Sequence, residues 1–107
     1  MKIIDTAGSI LTGDNHPQLK IGDKLYVVDD RKTTWDKIQQ TQADPNTKDA
    51  DVAALELALG KKQLKEIMEA DGGITLEGFQ NLTFHVMAAI TGQNFEDIKN
   101  AALSTKN

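Results

Sequence analysis

The residues of this chain that could carry acid–base or metal chemistry are few and scattered. His16 stands beside Pro17 in the turn-forming run Gly13-Asp14-Asn15-His16-Pro17, and His85 falls between Phe84 and Val86 in an apolar-rich stretch. A metal site would need these histidines at ligand spacing, or cysteine beside them. Their separation supplies no such spacing, and the chain has no cysteine. Both therefore read as surface histidines. Asp29-Asp30 places two carboxylates together and could hold a cation. A helical signal follows at Arg31, however, so a helix cap is the better reading, because a carboxylate accepts the unpaired amides of a first turn. Asp71-Gly72-Gly73 resembles a fragment of a calcium loop but lacks the other oxygen ligands at the required spacing. Lys61-Lys62 reads as a solvated helix face. There is no Walker-type loop, dinucleotide fingerprint or nucleophile elbow. No catalytic, cofactor-binding or metal-binding residue is assigned, and the expectation is a protein that is not an enzyme.

Whatever these residues do, a small acidic chain must position them. It has 107 residues, of which 39% are hydrophobic and 26% charged, proportions that suit one soluble domain with a modest core. Aromatics are 5%, so the core is mostly aliphatic. The net charge of −4 opposes nonspecific nucleic-acid binding, which needs a basic surface to displace phosphate counterions. The lack of cysteine fits a reducing cytoplasm. No apolar run approaches the ~18 residues of a membrane span. Met1-Lys2-Ile3-Ile4-Asp5 is too short and too soon charged for a signal peptide. Neither a membrane nor a nucleic acid is expected as a partner.

The expected fold is α+β, mainly α: a small N-terminal antiparallel β-hairpin or three-stranded sheet followed by about four short helices. The chain is taken as a single domain, 1–107, with a β-rich part at 1–29 and a helical part at 30–104. Leu19 and Ile21 alternate with Lys20, Gly22-Asp23 makes the turn, and Leu25-Tyr26-Val27-Val28 is β-branched and aromatic. Met1–Ile4 is the candidate third strand. The first helix begins near Arg31, shows Trp35, Ile38 and Gln42 on one face with Trp35 as its anchor, and stops before Pro45. Thr47 or Asp49 caps the next. Asp71-Gly72-Gly73 is a break. Thr75 caps a helix from Leu76 to Thr91, Gly92 ends it, and Asn94 caps the last helix, whose buried side is Phe95, Ile98, Ala101 and Ala102.

The stretch Asp51–Ala70 organises the rest. Its Ala, Leu, Glu and Lys content predicts one helix. One apolar stripe is Ala53, Leu57, Gly60, Leu64, Ile67 and Met68, with Gly60 allowing a close helix crossing. A second, Val52, Leu55 and Leu59, lies on another side and stops where Lys61-Lys62 begin. A segment apolar on two sides must sit between two partners. Val52, Leu55 and Leu59, with Leu82 and Phe84 of the following helix, either fill the same core from a second side or form a surface for another chain.

Three stretches, taken together and in order, resemble a known family. They are LKIGDKLYVVDD at Leu19–Asp30, VAALELALGKKQLKEI at Val52–Ile67, and FQNLTFHVMAAITGQNFEDI at Phe79–Ile98. The hairpin ending in Tyr26-Val27-Val28-Asp29, the helix with Ala54-Leu55-Glu56-Leu57-Ala58-Leu59-Gly60, and the helix end Ala88-Ala89-Ile90-Thr91-Gly92 are similar to tail assembly chaperones of long-tailed phages and prophages of Gram-positive bacteria. The resemblance implies a non-enzymatic protein of the bacterial host cytoplasm, not retained in the mature virion. Such a protein binds and solubilises the tape-measure protein and promotes assembly of the tail-tube protein around it. Self-association into a homo-oligomer, and a longer frameshifted form of the same chain, are also implied. Two other readings stand beside it: a small acidic structural or adaptor phage protein, and a helix-turn-helix regulator. The second is opposed by the absence of Lys and Arg from Leu76–Thr91.

Overall fold

The structure is a computed structural model that describes residues 2–3 and 16–104. Among these, two strands, β1 (Gln18–Ile21) and β2 (Lys24–Val27), precede five α-helices: α1 (Lys32–Ala43), α2 (Ala50–Leu59), α3 (Lys61–Glu69), α4 (Leu76–Thr91) and α5 (Phe95–Ser104). A short 3₁₀ turn, Ala70–Gly72, follows α3. The fold is α+β and mainly helical, as the sequence predicts.

β1 and β2 pair antiparallel with Leu19 opposite Tyr26 and Ile21 opposite Lys24. Gly22, at φ 62°, supplies the left-handed first position that a two-residue hairpin turn favours. The strand period of two directs Leu19, Ile21, Tyr26 and Val28 inward, while Lys20, Leu25 and Val27 face out. The expected third strand at Met1–Ile4 falls largely outside the described residues; Lys2 and Ile3 are not in a strand.

The helix ends follow local chemistry. The Asp49 carboxylate accepts from the Val52 amide (3.2 Å), the Thr75 hydroxyl from Gly78 (3.0 Å), and the Asn94 side chain from Glu96 (2.7 Å). Gly92 closes α4 in the left-handed conformation, at φ 77°. The first helix starts at Lys32, one residue later than expected, and neither Asp29 nor Asp30 is at its cap position. Arg31 occupies the cap position without a side-chain cap bond. Asp29 instead steadies the entry, accepting from the Arg31 amide (3.1 Å) and from the Thr34 hydroxyl (2.8 Å). The buried side of α1 is Thr34 and Ile38. Trp35 is only half-buried, so Ile38 rather than Trp35 is the anchor.

Asp51–Ala70 is not one helix. Gly60, at φ 80° and ψ 153°, ends α2 and starts α3. That combination is accessible essentially only to glycine. The turn at Gly60 lets each half choose its own face. α2 buries Ala54, Leu55, Ala58 and Leu59, and α3 buries Leu64 and Ile67. The stripe through Ala53 and Leu57 is only half-buried, and the one through Leu55 and Leu59 is the deeper.

The core gathers around the buried side of α2. It joins Tyr26 and Val28 from the hairpin, Ile38 from α1, Leu64 and Ile67 from α3, and Leu82 and Val86 from α4. The two partners that a two-sided apolar helix needs are α1 and α4 of the same chain. Burying each such side chain contributes about 1.5–3 kcal/mol against its exposure. α5 docks on α4 through an aromatic contact. His85 stacks on Phe95 at 3.9 Å between ring centres, and Phe84 meets the same ring edge-on at 6.4 Å.

Candidate functional site

The five residues singled out for protein contact separate into two groups. Leu55, Leu59 and Leu82 are 1%, 5% and 6% exposed, so they are core side chains, and the little that Leu82 shows lies at the floor of a cleft. Their place in a contact surface is corrected for a physical reason: α1, α4 and β2 of the same chain already cover them. Val52 and Phe84 are half-buried, Val52 against the core cluster and Phe84 beside Phe95. They do not form one patch with the buried three.

The polar candidates are structural in the same sense. His16 Nδ1 lies 2.7 Å from Asp30 Oδ1, which ties the chain before β1 to the chain after β2. Asp29 serves the entry to α1, so the two adjacent carboxylates face different partners and do not converge on a cation. His85 is exposed and occupied with Phe95. No group of three or more His, Cys, Asp or Glu side chains arranged to hold a metal ion occurs among the described residues. No helix among them is long and apolar enough to cross a membrane.

The surface feature that stands out is the pair of edges of the hairpin. Ile21 opposite Lys24 closes the turn, so in an antiparallel ladder Leu19 and Ile21 exchange backbone bonds with β2. Gln18 and Lys20 then turn their N–H and C=O groups away from β2, as Leu25 and Val27 do on the other side. The Val28 amide donating to the Pro17 carbonyl (2.9 Å) keeps the same alternation one step further.

The β2 edge is engaged by the Gly60 junction. The Val27 N–H donates to Gln63 Oε1 (3.2 Å), and Gln63 Nε2 donates to the carbonyls of Val27 (2.9 Å) and Leu59 (2.7 Å). The Asp29 N–H donates to the Ala58 carbonyl (2.8 Å). A side-chain amide thus completes the pairing that a third strand would supply at Val27.

The β1 edge has no such cover among the described residues. Beside it runs a cleft of about 420 Å³ between β1 and the first half of α4. This is within the usual ~300–1,000 Å³ of binding pockets. Its walls are mainly the apolar side chains Leu19, Ile21, Ile67, Ile74 and Leu82, with Lys20 the one charged residue among the described residues that line it. Neither the Gln63 clamp nor the cleft was anticipated from sequence. The strand alternation was the available signal: it marks Gln18 and Lys20 as outward-bonding once the turn is placed.

The chain matches no protein-family model, no curated protein and no solved structure.

Proposed function

We propose that this protein is a non-enzymatic phage tail assembly chaperone, which binds and solubilises the tape-measure protein and promotes tail-tube assembly in the host cytoplasm. The observation that carries the reading is the resemblance of Leu19–Asp30, Val52–Ile67 and Phe79–Ile98, in that order along the chain, to that family. The physical task is reversible coverage of apolar surface on a client, and the chain offers suitable surface. Leu25 and Leu76 are 60% and 73% exposed, and an apolar cleft opens beside β1. The tail-tube protein, a homo-oligomer and a frameshifted longer form are the further partners of this reading.

Co-expression with a fragment of tape-measure protein that is insoluble alone tests it. The expected result is a soluble fragment that co-purifies with the chain, together with oligomers whose size by light scattering grows with concentration. A strict monomer that leaves the fragment in the pellet contradicts the reading.

A further inference from the structure

We propose that the edge of β1 that no described residue covers accepts an extended segment of a partner protein as an added strand, seated in the cleft beside α4, apolar on one face and carrying an acidic residue next to Lys20. The inference does not rest on the tail-assembly reading.

Three features converge on this occupant. Gln18 and Lys20 present two N–H and two C=O groups on one line, unpaired among the described residues, and an extended backbone is the partner that satisfies such a row. An added strand lies about 4.7–4.9 Å beyond β1, with alternate side chains on opposite faces. One of those faces would meet the floor of the cleft, where Ile67, Ile74 and Leu82 lie. The charge is selective as well. In a chain with 16 acidic and 12 basic residues, the described residues that line the cleft include Lys20 and no carboxylate. An acidic side chain on the solvent face of the incoming strand is therefore complementary there.

A second copy of the chain is a poor occupant. Its β1 carries β2 on one edge and is packed against its own α4, and both would have to be accommodated beside the cleft. A single segment with both edges free avoids both obstacles. The β2 side of the hairpin is unsuited at Val27, where Gln63 holds both backbone groups.

The test is a titration of the full chain with a short end-blocked peptide that has valine at every second position and one glutamate among threonines on the other face, followed by backbone amide exchange. The exchange of the Gln18 and Lys20 amides should slow by about tenfold or more at saturation, while Leu19 and Ile21, already bonded to β2, change little. Lys20→Pro removes one outward donor without touching the ladder to β2, and it should abolish binding. Lys20→Ala keeps the donor and should erase only the preference for glutamate over glutamine in the peptide. A second peptide, N-methylated on its pairing edge, should not bind the unaltered chain; this arm decides the matter even where Lys20→Pro does not fold. Binding of the methylated peptide, or binding that leaves Gln18 and Lys20 unprotected, overturns the proposal. So does protection that rises with protein concentration in the absence of peptide, which would assign the edge to a second copy. A peptide that fails to bind while the chain still solubilises a tape-measure fragment removes this inference and leaves the tail-assembly reading standing.

Discussion

The two edges of one short hairpin are treated in opposite ways. On the β2 side, a glutamine from α3 holds both backbone groups of Val27, and the carbonyl of Ala58 takes the amide of Asp29. On the β1 side, Gln18 and Lys20 face an apolar cleft with no equivalent cover among the described residues. Exposed strand edges template pairing with other chains, so natural sheets blunt or cover them. Among the described residues, the hairpin is thus covered at Val27 and Asp29 on one side and uncovered at Gln18 and Lys20 on the other. The closed side also explains the break at Gly60. An unbroken helix would carry Gln63 along the axis of α2; the turn at Gly60 returns it to Val27 and to the last carbonyls of α2.

Substitutions that attack either side should rank by how deeply each is embedded. Leu82→Ala removes a buried side chain that floors the open-side cleft, and it should destabilise the fold by about 2–5 kcal/mol in urea unfolding. Gly60→Ala strikes the closed side through the backbone. A methyl group there meets nothing within 4 Å, so the cost is conformational and should be about 1–3 kcal/mol. The same variant should shift the amide resonances of Val27 and Asp29, because the junction that holds them is displaced. Gln63→Ala removes three hydrogen bonds, two of them solvent-exposed, and should cost about 1 kcal/mol. Its sharper readout is faster exchange at Val27. A Gln63→Ala protein with unchanged exchange at Val27 would dissolve the contrast between the edges.

Much of the fold was legible because its signals are local. Asp49, Thr75, Gly92 and Asn94 act at helix ends through their own side chains or their own φ, within a few residues. Gly22-Asp23 turns the hairpin where the alternation around it requires. The break at Gly60 was not legible from composition, since one glycine in an Ala- and Leu-rich run costs only ~1 kcal/mol against alanine. The hint was the change of pattern there, from the all-round apolar α2 to a charged start at Lys61-Lys62. Leu55, Leu59 and Leu82 carried the right message, two-sided burial, and their cover proved to lie within the chain. The Gln63 clamp spans 36 residues of sequence, and no local rule links a glutamine to a distant strand edge. The cleft is likewise a product of how β1 and α4 meet.

Amide hydrogen exchange on the free protein tests the contrast between the covered backbone at Val27 and the backbone of Gln18 and Lys20, which no described residue covers. The Val27 and Asp29 amides should be protected, and the Gln18 and Lys20 amides should exchange nearly as fast as in an unfolded chain, with Leu19 and Ile21 slow between them. Protection of Lys20 equal to that of Val27 in the isolated, dilute protein would contradict the account.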